Sequence, residues 1–240
     1  MNPVPVKAVL FDLDDTLWPI VPVIVRAEAD LFDWLAVHAP EVARDHSITS
    51  LRERRIALLA SEPRYRIDLV SLRHAGLTEA FRHSGADLAL VDKAIAVFNA
   101  SRNAVTPYDD VLPGLLKLGG HVALGSISNG SADLDAIGLS EHFRVSISAR
   151  EFGTAKPDPA IFHAACSALQ VSPAEAVYVG DDPLLDIEGA QQAGMRAVWM
   201  NRFERQLPPH ITPDATCVTL WQLEHWLSER ITLAPQSDAR

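Results

Sequence analysis

The chain has 240 residues, of which 48% are hydrophobic and 22% are charged, a composition typical of a soluble globular protein. Its 31 acidic residues outnumber its 21 lysines and arginines, so the formal net charge is -10. This balance argues against a nucleic-acid-binding surface, because the neutralisation of phosphates requires clustered lysines and arginines. No apolar run approaches the roughly 18 residues of a membrane span. We therefore predict neither a nucleic-acid partner nor a membrane partner.

The two cysteines, Cys166 and Cys217, lie far apart and lack the spacing of a metal site or a redox motif. They are typical of small buried apolar residues in a reducing compartment. The N-terminal residues run directly into an apolar stretch, without the pattern of a secretory signal peptide. We predict a cytoplasmic protein.

The first element is an apolar run from Val4 to Phe11, which has the length and composition of a buried parallel strand. It ends at a group of polar residues, Asp12, Asp14, Asp15 and Thr16. In open α/β sheets, ligands bind at the carboxyl ends of the strands, so these carboxylates are expected at a functional edge. The alternative for Asp15 and Thr16 is that they only open a turn or cap a helix.

Apolar residues then recur at helical spacing. Four helices are predicted, over about Pro22–His38, Thr49–Ser61, Asp68–His83 and Asp87–Ala104. The stretch is too long for a loop, so we predict an all-helical domain over residues 18–105, inserted after the first strand.

From Pro107 the pattern alternates between strand and helix. Strands are predicted over about His121–Ile127, Arg144–Ser148, Val177–Gly180 and Ala197–Met200. Helices are predicted over about Asp110–Leu118, Ser131–Ile137, Pro159–Leu169, Pro183–Ala193 and Thr219–Arg230, with a frayed tail over 234–240. The predicted fold is α/β: a Rossmann-like, mostly parallel sheet core made of residues 1–17 and 106–240, carrying the helical insert.

Polar groups stand at the ends of these strands and in the loop that follows the third. They are Asp12 and Asp14, then Ser128 and Asn129, then Lys156, then Asp181, Asp182 and Asp186. All four positions lie on one edge of a parallel sheet. Taken singly, Ser128-Asn129-Gly130 is compatible with a turn, Lys156 with a solvent-exposed lysine, and Gly180-Asp181-Asp182-Pro183 with a helix cap. Their conjunction, in this order, favours a site.

With Asp15, six carboxylates stand around one lysine: Asp12, Asp14, Asp15, Asp181, Asp182 and Asp186. They repel one another, since two unit charges about 4 Å apart cost roughly 4 kcal/mol at an effective dielectric near 20. They require a cation, and oxygen ligands without His or Cys select Mg²⁺. Asp12 and Asp181 are the candidate ligands, with Asp186 tethering them. A bound metal would also let an acidic pocket accept a phosphoryl group.

Such a site is suited to phosphoryl transfer in which the phosphoryl group is first bound covalently to a carboxylate of the protein. Asp12 is the candidate nucleophile, which would form an aspartyl-phosphate. Asp14, two residues further on, can protonate the leaving alkoxide and later take a proton from water. Ser128 and the Asn129 amide can hydrogen-bond the phosphoryl oxygens, and Lys156 can balance their charge.

At these residues the chain resembles the haloacid dehalogenase superfamily. The matching segments are Phe11-Asp12-Leu13-Asp14-Asp15-Thr16-Leu17, Ile127-Ser128-Asn129-Gly130, Lys156-Pro157-Asp158-Pro159 and Gly180-Asp181-Asp182 with Asp186. The resemblance implies a Rossmann-like core, Mg²⁺ held by Asp12, the Asp14 carbonyl and Asp181, and a helical cap that closes over the site. We also predict that Asp186, Asp182 and Thr16 lie in the shell around those ligands.

Within the superfamily, phosphatases carry Asp two residues after the nucleophile and haloacid dehalogenases carry Tyr, so Asp14 implies a phosphatase. A narrower resemblance, to the bacterial phosphatases acting on flavin mononucleotide and phosphoribitylaminouracil, is carried by five segments. They are Asp15-Thr16-Leu17-Trp18, Pro22-Val23-Ile24, Arg26-Ala27-Glu28, Lys156-Pro157-Asp158 and Gly180-Asp181-Asp182. No arginine or tyrosine stands at residues 153–155, before Lys156, to supply an extra anion contact.

The expected substrate is a small phosphorylated metabolite, since a cap of this size would exclude folded phosphoproteins. Candidate contacts in the cap are Tyr65, Arg66, Arg73 and His74, although solvated helix faces also carry such residues. Two alternatives remain open, a phosphomutase with the same core motifs and a phosphate-ligand binding protein without catalysis. The sequence leaves the oligomeric state and the substrate undetermined.

Overall fold

A computed structural model describes residues 4–231 of the chain. Its sheet has six parallel strands in the order β3-β2-β1-β4-β5-β6. The strands are β1 (Ala8–Phe11), β2 (Ala123–Ser128), β3 (Val145–Ser148), β4 (Ala176–Gly180), β5 (Arg196–Met200) and β6 (Ala215–Cys217). The predicted α/β fold class, a Rossmann-like parallel sheet with helices, is therefore confirmed.

The helices divide between two compact units. Among the described residues, one unit, here called the sheet unit, comprises 4–18, 107–130 and 138–231, and the other, called the helical unit, comprises 19–106 and 131–137. Before the second strand come α1 (Ile20–His38), α2 (Pro40–Asp45), α3 (Ile48–Ser61), α4 (Leu69–Ser84), α5 (Val91–Asn103) and α6 (Val111–Gly119). After it come α7 (Leu134–Ile137), α8 (Ala149–Phe152), α9 (Pro159–Ala168), α10 (Gly189–Gln192) and α11 (Leu220–Ser228).

The register of the sheet brings three strand ends side by side. Phe11 in β1 pairs with Ser126 in β2 and with Val179 in β4. The ladder continues one residue further, because the Asp12 amide donates to the Val179 carbonyl at 2.8 Å. All four residues of β1 are buried, as expected of a central parallel strand with both faces covered. Residues that follow β1, β2 and β4 therefore share one edge of the sheet.

The core of the sheet unit packs against helix α9. Asp158 caps the first turn of α9 by accepting from the Ala160 amide, and Pro159 occupies the first helical position, where its missing N–H costs nothing. The ring of Phe162 meets that of Tyr178 edge-on at 5.0 Å. This contact ties α9 to the strand β4 that leads into the acidic residues.

The helical unit has its own core, to which α1, α4 and α5 contribute Leu31, Leu35, Phe81 and Phe98. Its helix boundaries follow local capping chemistry. Ser47 and Ser50 form a reciprocal capping box at the start of α3, and Gly85 ends α4 in the left-handed conformation. Within the described part of the chain, none of the helices is both long and apolar enough to cross a membrane.

Several elements differ from the sequence predictions. The first strand begins at Ala8 and not at Val4, although Val6 forms an isolated bridge with Ile231. The short helices α2 and α8 and the strand β6 were missed, because three to six residues carry too little periodicity. The helix predicted over Pro183–Ala193 is a π-helical turn, Pro183–Glu188, followed by α10. The tail predicted over 234–240 lies outside the described residues.

Candidate active site

The centre of the site is the buried ammonium group of Lys156. Its Nζ donates to Asp12 Oδ1 at 2.6 Å, to Asp186 Oδ1 at 2.7 Å and to the Tyr178 hydroxyl at 2.8 Å. Lys156 is 4% exposed, Asp12 7% and Asp186 1%, so these charges interact with little screening by solvent. Burial alone would lower the pKa of Lys156, but the carboxylates of Asp12 and Asp186 outweigh it and hold this pKa well above its usual range. The lysine is therefore a fixed positive charge.

The acidic side of the site brings Asp181 into the same group. One carboxylate oxygen from each of Asp12, Asp181 and Asp186 lies within 4.8 Å of the others, a separation that suits a shared cation. Burial, Asp186 and Asp15 raise the pKa of Asp181 to about 7, although Arg205 opposes them. Burial also raises the pKa of Asp12, against the effect of Lys156. More negative charge is gathered here than one lysine neutralises.

The loop after β1 is folded back on itself. Thr16 is fully buried and its hydroxyl donates to Asp12 Oδ2 at 3.2 Å. Asp14 Oδ1 accepts from the Trp18 indole nitrogen at 2.8 Å, so its carboxylate is held by the following turn. Asp15 adopts a left-handed conformation with φ 61°, which Asp tolerates better than most residues. The turn predicted as an alternative for Asp15 is thus present in its backbone.

Asn129, which follows β2, is hydrogen-bonded to the main chain of Lys156. Asn129 Oδ1 accepts from the Lys156 amide at 2.9 Å, and its Nδ2 donates to the Lys156 carbonyl at 3.0 Å. This pair fixes the main chain of Lys156 next to the end of β2. Ser128 is 6% exposed, and its hydroxyl accepts from the Gly130 amide at 2.9 Å.

Two acidic residues after β4 have separate structural partners. Asp182 Oδ1 accepts from the amides of Leu184 and Leu185, so its carboxylate caps the π-helical turn, as the helix-cap alternative foresaw. Asp186 Oδ2 accepts from the Asp182 amide at 2.9 Å. Gly180 permits this close approach, because a Cβ at that position would lie 2.3 Å from Asp186 Oδ2.

Sequence reasoning missed Tyr178 and Arg205. The Tyr178 hydroxyl also donates to the Ile127 carbonyl at 3.1 Å, which links β4 to β2, but within an apolar strand a tyrosine is indistinguishable from a core residue. Arg205 lies in the loop after β5 and binds Asp181 Oδ2 at 2.8 Å, with Asp15 Oδ2 at 3.5 Å. The sequence analysis sought site residues directly at strand ends, and Arg205 lies five residues beyond the last predicted strand, which ends at Met200. The available signal was a basic residue soon after a strand whose neighbours end in acidic residues.

A second arginine, Arg202, is hydrogen-bonded to the main chain of the loop that follows β1. Arg202 donates through Nε to the Thr16 carbonyl at 2.7 Å and makes a bidentate pair with Asp110, both contacts at 3.0 Å. Both side chains are 5% exposed. Arg202 therefore connects the loop that carries Asp12 and Asp14 to the start of α6.

The polar residues singled out in the helical unit have different surroundings. Tyr65 is buried, with 4% of its surface exposed, whereas Arg66 is exposed. His74 is bound to Asp92 at 3.1 Å. Arg73 lies over the ring of Phe98. Their predicted role as substrate contacts stays a prediction.

Comparison with known proteins defines the class. The family model of haloacid dehalogenase-like hydrolases matches residues 6–194, and the chain belongs to this family of hydrolases. The 5-amino-6-(5-phospho-D-ribitylamino)uracil phosphatase YigB of Escherichia coli is 28% identical, over 86% of this chain and 91% of that protein. The glyceraldehyde 3-phosphate phosphatase of Methanopyrus kandleri is 33% identical, over 84% and 86% respectively. A solved structure described as a 2-haloacid dehalogenase from Pseudomonas syringae pv. tomato is 40% identical and superposes with a TM-score of 0.87, covering 93% of this chain and 99% of that one.

Proposed function

We propose that this protein is a Mg²⁺-dependent phosphatase that hydrolyses a small phosphorylated metabolite through an aspartyl-phosphate on Asp12. The observation that carries the proposal is the cluster in which Lys156 joins Asp12 and Asp186 beside Asp181. Such a cluster supplies a carboxylate nucleophile, a fixed positive charge and oxygen ligands for a cation within one small volume. The phosphatase names of the two curated relatives support the same class of reaction.

The residues present fit a hard divalent cation. Three carboxylates converge without histidine or cysteine, and the pKa of Asp181 is raised to about 7 because burial and neighbouring acids disfavour its charge. We assign the metal to Asp12, Asp181 and the Asp14 carbonyl, with Asp186, Asp182 and Thr16 around them. When bound, Mg²⁺ neutralises negative charge on the phosphoryl oxygens.

The chemistry of the chain's own groups balances over two steps. In the first, an Asp12 oxygen forms a bond to phosphorus while the ester oxygen leaves with the bonding electrons and takes a proton from Asp14. In the second, Asp14 removes a proton from water, whose oxygen bonds to phosphorus and releases phosphate and the Asp12 carboxylate. The Asp14–Trp18 hydrogen bond supports this role, because it fixes the orientation of the Asp14 carboxylate.

The phosphoryl oxygens are assigned to Ser128, Asn129 and Lys156. The short contact between Lys156 and Asp12 supports this assignment, since the ammonium group can stabilise charge as it moves from the nucleophile to the transferring group. Asn129 holds the Lys156 main chain by two hydrogen bonds. Discrimination between leaving groups is assigned to the helical unit, for which Arg66 and His74 are the exposed candidates.

The second candidate function is carbon–halogen hydrolysis, favoured by the description of the 40% identical structure as a 2-haloacid dehalogenase. In that reaction a carboxylate attacks carbon and halide leaves, so neither a proton donor nor a cation is required. Asp14 and the three-carboxylate cluster argue for the phosphatase. Chloride release from 2-chloropropionate, measured with EDTA present and set against phosphate release with Mg²⁺ present, separates the two.

The central test uses p-nitrophenyl phosphate with and without Mg²⁺. The wild type is expected to release nitrophenol with Mg²⁺ and to stop in EDTA, and Asp12→Asn is expected to be inactive. Asp30→Asn, the same change at an exposed position of α1, is the matched control and should retain wild-type activity. Full activity of Asp12→Asn, or of the wild type in EDTA, would refute the proposal.

A screen of phosphorylated metabolites then identifies the substrate. It should contain flavin mononucleotide, 5-amino-6-(5-phospho-D-ribitylamino)uracil and glyceraldehyde 3-phosphate, together with sugar phosphates. Release of free phosphate supports the phosphatase, whereas an isomerised sugar phosphate would identify a mutase. Binding without turnover of any compound would identify the catalytically silent alternative.

A further inference from the structure

The helical unit contains a small pocket between α1, α3 and α4. Its volume is about 30 Å³, and its walls combine Leu31 and Leu77 with four charged side chains, Glu28, Arg52, Arg55 and Arg73. A cavity of roughly 10–15 Å³ holds one water, so this space accommodates about two waters or one small anion. It lies entirely within the helical unit and shares no residue with the acidic cluster of the sheet unit.

Two of the arginines share one carboxylate. Arg55 lies 2.9 Å from Glu28 Oε1, and Arg52 Nε donates to Glu28 Oε2 at 3.1 Å. Glu28 is 5% exposed. Burial alone would raise the pKa of Glu28, but the hydrogen bonds from Arg52 and Arg55 outweigh it and lower this pKa. Glu28 is therefore ionised at neutral pH, with both oxygens occupied by the two guanidinium groups.

The third arginine is differently placed. The guanidinium carbon of Arg73 lies 3.3 Å from the centre of the Phe98 ring, and no carboxylate within residues 4–231 forms an ion pair with it. Burial, and then the positive charge of Arg55, lower the pKa of Arg73 to about 9, although Glu28 opposes them. Arg73 thus carries a positive charge beside that of Arg55, and the pocket has one carboxylate, that of Glu28, for three guanidinium groups.

These charges define the ligand. Three guanidinium groups against one carboxylate leave two positive charges around a space of small-anion size. We propose that this arginine pocket binds free inorganic phosphate as its dianion, held by Arg55 and Arg73. Guanidinium groups match the oxygen spacing of phosphate through paired N–H donors. This site lies within the helical unit alone and takes no part in the proposed reaction.

The test is calorimetric titration of the full chain with inorganic phosphate in EDTA at neutral pH and constant ionic strength. EDTA leaves the acidic cluster of the sheet unit repulsive to phosphate, so the arginine pocket is the site being measured. The wild type is expected to bind one phosphate, and Arg73→Gln and Arg55→Gln are each expected to weaken binding at least tenfold. Arg82→Gln, the same change at an exposed position of α4, should bind as the wild type does.

A variant expected to tighten phosphate binding distinguishes a specific effect from damage to the fold, which would only weaken binding. Glu28→Gln removes the pocket's negative charge with little change of shape, so it is expected to tighten phosphate binding threefold or more. Circular dichroism and the unfolding midpoint establish that each variant is folded. Absence of binding by the wild type at 10 mM phosphate, on the order of the weakest affinity expected, would overturn the proposal. Unweakened binding by both folded arginine variants, or weaker binding by Glu28→Gln, would also overturn it.

Discussion

Lys156 Nζ and Asp12 Oδ1 lie 2.6 Å apart, although 144 positions separate the two residues in the chain. The ammonium group also contacts Asp186 at 2.7 Å, so one lysine holds two buried carboxylates. Removing one partner of a buried ion pair lowers the free energy of unfolding by more than the intact pair contributes to it. The remaining charge then has neither water nor a counterion. Lys156 is therefore expected to serve both stability and catalysis.

Replacing Lys156 with Met tests both roles. We expect Lys156→Met to lower the free energy of unfolding by about 3–5 kcal/mol in EDTA, since Asp12 and Asp186 remain buried. We also expect turnover to fall by about 100-fold or more through loss of the charge that stabilises the transferring group. Urea unfolding and phosphate release measure the two effects. Lys93→Met, at an exposed position of α5, is the control, and a variant as active as that control would exclude Lys156 from the reaction.

Tyr178→Phe isolates a single hydroxyl group. That hydroxyl accepts from Lys156 and donates to the Ile127 carbonyl, so its removal should destabilise the protein by about 1–3 kcal/mol. Tyr108→Phe is a matched control, because within the described residues the buried Tyr108 hydroxyl has no hydrogen-bond partner. The difference between the two unfolding free energies is the quantity to measure. Equal values would show that the Tyr178 hydroxyl contributes nothing net.

Gly180→Ala tests the close approach of β4 to Asp186. The new Cβ would lie 2.6 Å from Asp186 Cβ, which is not a flexible end that can turn aside. Asp186 must then move away from Lys156, and we expect both stability and activity to fall. Gly76→Ala, where the nearest atom is 3.8 Å away on a helix, should be neutral or stabilising by up to about 1 kcal/mol. Thermal unfolding of the two variants shows whether the loss is specific to residue 180.

The Asp110–Arg202 pair predicts a pH dependence of stability. Burial alone would raise the pKa of Asp110, but the hydrogen bonds from Arg202 and the Leu220 amide outweigh it and lower this pKa below 3.8. A carboxyl group whose pKa is lower in the folded than in the unfolded state stabilises the protein at every pH above its unfolded-state pKa. That stabilisation is lost as the pH falls through the folded-state pKa. Asp110→Asn should cost about 3 kcal/mol or more at pH 7.

The measurement compares wild type and Asp110→Asn by urea unfolding at pH 7, 5, 4 and 3. Their difference in unfolding free energy should be constant from pH 7 to 5 and should shrink below pH 4, as the wild-type carboxylate takes up a proton. A difference that grows as the pH falls would mean that the ionised pair does not stabilise the fold.

Most of the site residues that the sequence predicts lie at or just after the ends of the parallel strands. Asp12, Lys156, Asp181 and Asp186 were expected at one edge because parallel strands align their carboxyl ends, and the contacts place them together. Their roles in catalysis stay predictions. The capping function of Asp182 could not be separated in advance from a place beside the metal, because the same carboxylate suits both. Tyr178 and Arg205 depend on tertiary contacts that no local pattern records.

The position of the helical unit within the chain sets the order in which the sheet can be completed during synthesis. The central strand β1 leaves the ribosome first, but its partners begin only at Ala123 and Ala176. Until Gly180 has emerged, one edge of a wholly apolar strand has no neighbour, and such edges promote aggregation. Fragments that end before β4 are therefore expected to be clients of chaperones.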